Sequence, residues 1–189
     1  MTILLYIREA RDSASVVLGI ECEGERIRLS VGREFFLSLG ISEGETLDGE
    51  TFDTLRREDE RRRAMKKALS ILGYADNSRK NLYIKLVRAG FSRELSRACV
   101  EECLALGYIR EREQLRRLIL TEANTRLVGR GRITAKLASR GYSRTDIEEV
   151  TDELVSLGEI DFEENFEALM EKYPEGTDRR QIKYKHGYM

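Results

Sequence analysis

The chain has 189 residues, 35% of them charged and 41% apolar, and a formal net charge of −1. This balance describes a globular protein with one or two cores, and no run approaches the roughly 18 consecutive apolar residues that a membrane-spanning helix needs. Three cysteines argue against a disulfide framework, and a single histidine, His186, leaves almost no material for histidine-based triads or Cys/His zinc sites.

The first six residues lack the basic start and small-residue cleavage site of a secretory signal, so a cytoplasmic protein is expected. Residues 1–31 then alternate: Ile3 to Ile7, then Val16, Leu18, Ile20 and Cys22, then Ile27, Leu29 and Val31 with Arg26, Arg28 and Ser30 opposite. Alternation of this kind predicts three strands. Arg11-Asp12-Ser13 supplies the first turn and Glu23-Gly24-Glu25 the second. Phe35, Phe36, Leu37 and Leu39 form a short helix ended by Gly40, and residues 41–48 read as a loop. So small a sheet is expected to pack on its own short helix and on the helical region that follows.

From Thr51 the helical period takes over, with helices predicted near 58–72, 79–88, 93–106, 111–128, 133–139, 144–157, 162–172 and 179–185. Gly73, Gly90, Gly107, Gly129, Gly141 and Gly158 are expected just past helix ends, where positive φ satisfies terminal carbonyls. Ser78, Ser92 and Ser143 precede helix starts as N-caps, and Ser143 with Asp146 has the form of a capping box. Cys99 and Cys103, one turn apart on the face of Val100 and Leu106, read as buried thiols rather than metal ligands.

The helical part repeats itself. Residues 78–118 overlie 129–169 without a gap at an offset of 51, so that Leu82, Leu86, Gly90-Phe91-Ser92-Arg93, Leu106-Gly107 and Ile109 match Ile133, Leu137, Gly141-Tyr142-Ser143-Arg144, Leu157-Gly158 and Ile160. Apolar positions at helical spacing around a Gly-aromatic-Ser-Arg junction are how tandem three-helix modules are written. The expected architecture is mainly α. A small β-rich domain (1–55) precedes two complete three-helix repeats (56–109 and 110–160) and a truncated third (161–189). The third copy lacks its last helix, so its apolar face is expected to have less cover.

Charge is segregated. Lys and Arg minus Asp and Glu is −6 over residues 1–55, +13 over 56–144 and −8 over 145–189. A basic block between acidic flanks favours a polyanionic partner, with solvated helix faces as the alternative reading. The second helices carry the strongest signal: Arg79, Lys80, Lys85 and Arg88 correspond in place to Arg130, Arg132, Lys136 and Arg140, and Arg93 and Arg144 follow the serine caps. Repeated placement aligns these cations along one edge, suited to the phosphates of an extended polymer.

Other groups read more plainly. Arg61-Arg62-Arg63 with Lys66-Lys67 is an exposed face paired with Glu58-Asp59-Glu60. Gly129-Arg130-Gly131-Arg132 suits a hinge better than an anion nest. Phe91 and Tyr142 fit module packing, which leaves Tyr83 as the candidate to stack on a base. Glu101-Glu102, Asp152-Glu153 and Glu163-Glu164 read as solvated carboxylates, and no catalytic centre, metal site or cofactor site assembles from these residues.

Ala68 to Leu72, Ser78-Arg79 with Leu82 and Leu86, Gly90-Phe91, Leu106-Gly107-Tyr108-Ile109, Gly131-Arg132-Ile133, Lys136-Leu137, Arg140-Gly141-Tyr142 and Leu157 to Asp161 together resemble the RecX family of bacterial recombination regulators. The resemblance covers roughly residues 64–188. It implies tandem three-helix repeats in an elongated, curved protein, acting as a monomer without catalysis or cofactor. It also implies binding to the RecA filament on single-stranded DNA, limiting its growth and activities. A helical-repeat protein that binds single- or double-stranded nucleic acid directly, independent of RecA, is the alternative. Arg110-Glu111 stands where the family usually has acidic residues.

Overall fold

Alternation in the first part of the chain becomes β1 (Thr2–Glu9), β2 (Ser15–Cys22) and β3 (Glu25–Gly32) in a computed structural model that describes residues 1–11 and 14–189. Asp12 and Ser13 of the first expected turn lie outside the described residues. The second turn is as expected: Glu23 (φ 53°) and Gly24 (φ 84°) both take positive φ, as a two-residue type I′ hairpin requires. The chain divides into two compact units, Met1–Ala68 with Phe91–Cys99, and Leu69–Gly90 with Val100–Met189.

In the first unit the strands form an antiparallel sheet in the order β3-β2-β1-β4. The fourth strand, β4 (Thr46–Leu47), pairs Leu47 with Thr2 and Thr46 with Ile3 inside the segment expected to be loop. Two residues are too few to show alternation, so sequence periodicity could not find them. The register of β1 shifts between Leu4 and Tyr6, after which Tyr6 faces Gly19. A Cβ on Gly19 would lie 2.1 Å from the Tyr6 ring, so glycine makes room for the aromatic. Leu4, Leu18, Ile20, Leu29 and Val31 are buried with Phe36 of α1 (Arg33–Leu39) and with Phe52 and Leu55 of α2 (Gly49–Tyr74).

Helix α2 starts at Gly49 rather than near Glu58. The cause is Asp48, whose Oδ1 accepts the Thr51 N–H at 2.7 Å and whose carboxyl is held below its ordinary value first by that bond. The early start brings Asp59 under the sheet edge, where it is buried and accepts the Ser30 N–H of β3 at 2.8 Å. The expected intrahelical pairs are present as Arg61–Glu58 (2.9 Å) and Arg63–Asp59 (3.4 Å).

Helices α3 (Arg79–Arg88) and α4 (Arg93–Ala105) recur as α6 (Arg130–Ser139) and α7 (Arg144–Ser156), displaced by 51 residues at both ends. Between them the long helix expected over 111–128 is interrupted: α5 (Glu111–Leu120) passes into a π-helical turn (Thr121–Thr125), and Leu127 takes φ 53°. Leu115, Ile119, Ile133, Leu137, Ile147, Val150, Leu154 and Ile160 form the main core of the second unit. A smaller core joins Leu127 to Phe166 and Leu169 of α8 (Phe162–Met170) and Ile182 of α9 (Arg179–His186). Tyr173 and Tyr188 pack against it, so the apolar face of this last segment is covered from within the chain.

Gly90, Gly107, Gly141 and Gly158 have φ between 71° and 96°, as helix ends require. Two expected end glycines do otherwise. Gly73 lies inside α2, and Gly129 is the N-cap of α6 with φ −73°. Ser78, Ser92 and Ser143 each accept a backbone N–H three residues on, as caps do. Cys99 and Cys103 are buried. Among the described residues no helix is long and apolar enough to cross a membrane.

Candidate functional site

The ten cations expected to form one basic edge fall into two groups. On α3, the Arg79 guanidinium is 2.7 Å from Glu111, whose other oxygen accepts the Arg79 N–H, also at 2.7 Å. Lys85 is half-buried and donates to Asn77 Oδ1 at 2.6 Å. On α6, Arg130 pairs with Asp152 of α7, Arg132 donates to the Lys185 carbonyl at 2.7 Å, and Lys136 reaches both Glu122 oxygens at 2.8 Å. These five side chains are committed to partners within the protein. Lys80, Arg88, Arg93, Arg140 and Arg144 are exposed, and among the described residues none of their side chains forms a hydrogen bond or ion pair. Arg93 belongs to the first unit and the other four to the second.

Local packing explains the split. Helix α3 begins where Ser78 Oγ accepts the Asn81 N–H at 3.2 Å and donates to the Arg140 carbonyl at 2.9 Å, which ties the start of α3 to the end of α6. A Cβ on Gly141 would lie 2.7 Å from that hydroxyl. Lys80, Arg140 and Arg144 are thus anchored by their backbones near this junction while their charges stay in water.

Helix α5 carries a second set of cations that sequence reasoning left aside. Arg112 and Arg116 both pair with Glu153 of α7, Arg116 also pairs with Glu159, and Arg117 pairs with Asp76. Asp152-Glu153, expected to be solvated carboxylates, are therefore partners of Arg130, Arg112 and Arg116. Exposed pairs of this sort contribute about 0–1 kcal/mol each and act chiefly to fix register. The buried hub is Glu122 in the π-helical turn, which holds Arg126 at 2.5 Å as well as Lys136. Glu122 and Arg126 lie four residues apart, a spacing from which their pairing could have been read.

Gly129-Arg130-Gly131-Arg132 is not an open nest, because its glycine N–H groups are engaged within the chain. The Gly129 and Gly131 N–H groups donate to the carbonyls of His186 (2.8 Å) and Gly187 (3.0 Å). The positive end of the α6 dipole thus meets the negative end of α9. A Cβ on Gly129 would sit 2.3 Å from Gly187 backbone atoms, so glycine here permits close approach. Tyr188 then packs on Phe166 and Phe162, with ring centroids at 5.2 and 6.3 Å.

The aromatic expectations are revised in one respect. Tyr142 is buried and its hydroxyl donates to Gln114 at 2.9 Å, with burial pushing the phenol up to about 12. Tyr83 is half-buried, whereas Tyr108 is 51% exposed, so Tyr108 offers the more accessible ring. Tyr108 follows the α4 end glycine in the sequence, and its position there gives no internal packing partner to predict from.

No protein-family model matches the chain. The regulatory protein RecX of Clostridioides difficile (strain 630) is 23% identical over 138 residues, which cover 69% of this chain and 65% of that protein, just under two thirds of its length. A crystal structure of a regulatory protein RecX superposes with a TM-score of 0.71 at 18% identity, covering 100% of this chain and 92% of that one. Together these two matches make the chain similar to RecX proteins, in sequence over part of its length and in fold along all of it. The chain is mainly helical with antiparallel strands at its start, the fold class expected from the sequence, and its likeness to a solved RecX structure agrees with that class. Among the described residues no cluster of three or more His, Cys, Asp or Glu is placed to hold a metal ion. What the chain offers chemically is exposed guanidinium and ammonium groups: Lys80 and Arg88 on α3, Arg140 just past α6, and Arg93 and Arg144 at the starts of α4 and α7.

Proposed function

We propose that this chain is a cytoplasmic, monomeric regulator of recombination and DNA repair. It binds the RecA filament on single-stranded DNA and limits its growth and activity by occupying it, without catalysis of its own. The observation that carries the reading is the likeness to a RecX structure along the whole chain. The five uncommitted cations, Lys80, Arg88, Arg93, Arg140 and Arg144, are its contacts to the polyanion. Arg79, Lys85, Arg130, Arg132 and Lys136 act first by positioning helices and only secondarily as charge. In this reading the working modules are residues 56–109, 110–160 and 161–189, preceded by the β-rich domain 1–55, and the acidic ends face basic protein surface.

The test adds purified protein to RecA on single-stranded DNA and follows ATP hydrolysis, filament length and co-sedimentation. Slowed hydrolysis, shorter filaments and pelleting with the filament are expected. No effect at a few-fold excess over RecA overturns the proposal. Salt-sensitive binding to bare DNA that is tighter than binding to the filament moves the assignment to direct nucleic-acid recognition.

A further inference from the structure

A cavity of about 540 Å³ in the second unit is lined by Glu122, Arg126, Arg132, Lys136 and His186. Its charge is unbalanced: three cations line it beside one carboxylate, which pairs with Arg126 and Lys136 and is buried while those two remain 57% and 40% exposed. Every cation is anchored by part of its donor set. Lys136 gives two N–H groups to Glu122, Arg126 gives one nitrogen to Glu122, and Arg132 gives one to the Lys185 carbonyl. A guanidinium has five N–H donors in a rigid fork and an ammonium three, so each side chain keeps donors beyond those it has committed. Fixed cations with spare donors are organised for an anion before it arrives, which reduces the ordering cost of binding.

We propose that this cavity is a phosphate-binding site. Two surplus positive charges match one free phosphate dianion or two neighbouring phosphodiesters of a polynucleotide, and donors from three side chains suit tetrahedral anions better than a single planar carboxylate. The electrostatics agree: burial first, then Lys185 and Arg132, hold the His186 imidazole below its ordinary value, as a cationic recess would. Glu122 is the organiser, because its burial forces the two basic side chains toward it and so toward each other. Arg126, which stands outside the repeat pattern, completes the set. The site rests on the proposed function only for its source of phosphate, the backbone of a polynucleotide.

Two measurements on the full chain, without RecA, test it. In the first, the His186 ring is titrated by NMR in inorganic phosphate and in chloride at equal ionic strength. Phosphate is expected to raise the His186 pKa relative to chloride, because an anion beside the ring favours the imidazolium; equal titrations in the two salts overturn the site. In the second, anisotropy of a labelled oligothymidylate is read against salt for wild type, Arg126→Gln and Arg132→Gln. Each loss should weaken binding about fivefold and flatten the slope of log affinity against log salt by about 0.7. Arg126→Lys, which keeps the charge over Glu122, should recover most of the affinity, and thermal unfolding of each variant separates a lost contact from a lost fold. Unchanged oligonucleotide affinity beside a phosphate-specific His186 response overturns the polynucleotide source and leaves a site for small phosphates. Neither result depends on RecA, so failure of the filament assay and failure of this site are told apart.

Discussion

Replacing Gly129 by alanine isolates one steric contact. At φ −73° and ψ 161° the backbone suits any residue, so no conformational strain follows. Alanine is a poorer N-cap than glycine, but it also lowers the entropy of the unfolded chain, and these effects of about 0.5–1 kcal/mol each roughly cancel. The new Cβ then decides the outcome. It would lie 2.3 Å from the carbonyl carbon and oxygen of Gly187 and 2.5 Å from the Tyr188 nitrogen, backbone atoms that cannot rotate aside. Residues 187–189 must withdraw from α6, taking with them the bonds from Gly129 to His186 and from Gly131 to Gly187 and the contact of Tyr188 with Phe166. Two backbone hydrogen bonds and one aromatic contact at about 1 kcal/mol each give a loss of about 3 kcal/mol. Gly73→Ala is the control of opposite sign: it lies inside α2 with nothing within 4 Å of the added Cβ, and should stabilise by about 0.5–1 kcal/mol. Urea unfolding measures both, and amide exchange at Gly131 reads the docking directly. Gly129→Ala within about 0.5 kcal/mol of wild type, with Gly131 protection intact, would refute the reasoning.

Glu122→Ala leaves Lys136 and Arg126 facing each other without their shared carboxylate and should cost about 3 kcal/mol, read by denaturant unfolding. Asp59→Ala should cost about 1–2 kcal/mol and speed exchange of the Ser30 amide, while Asp59→Asn, which keeps an acceptor, should do less on both counts. Because burial raises the Tyr142 phenol from 10.0 to about 12, its contribution is complete below pH 10 and is lost as pH rises from about 10 toward 12. Stability measured at pH 8 and near pH 11.5 should therefore differ by about 2 kcal/mol more in wild type than in Tyr142→Phe.

Helices α3, α4 and α7 were legible because three independent signals agreed on each: apolar spacing, a serine before the start, and a glycine of positive φ past the end; α6 carried the first and the last of these. The early part of α2 and strand β4 were not, since one begins from a lone aspartate cap and the other is two residues long. The interruption at Thr121–Thr125 was hidden because a single π-helical turn of five residues is too short for its changed period to show in the apolar pattern. Of the five cation pairs read as counterparts, Arg79 with Arg130, Lys85 with Lys136 and Arg93 with Arg144 stand at the 51-residue offset, while Lys80 with Arg132 and Arg88 with Arg140 are displaced by one. Which of them keep their charge for a partner depended on carboxylates brought from 14 to 32 residues away, such as Glu122 for Lys136 and Glu111 for Arg79, and periodicity carries no information about those distances.

Lys85 and Lys136 make the point most sharply, because they occupy equivalent positions 51 residues apart in helices of equal length. Lys85 donates to the neutral Asn77 amide, and its charge is left uncompensated at that contact. Lys136 instead donates to both oxygens of a buried carboxylate, and Arg126 joins it there. The repeat therefore conserves where a cation stands but not what surrounds it. A neutral acceptor spreads positive potential outward from α3, whereas a buried carboxylate gathers several cations into one recess at α6. If repeated charge alone governed binding, neutralising either lysine would weaken attachment to a polyanion equally. The surroundings argue otherwise: Lys85→Met should lose one hydrogen bond to a neutral amide and one charge, a small effect on stability and affinity, whereas Lys136→Met should also loosen Arg126 and uncover Glu122, lowering both more strongly. Equal effects on both measurements would mean that the repeat, and not its local carboxylates, sets the chemistry of this surface.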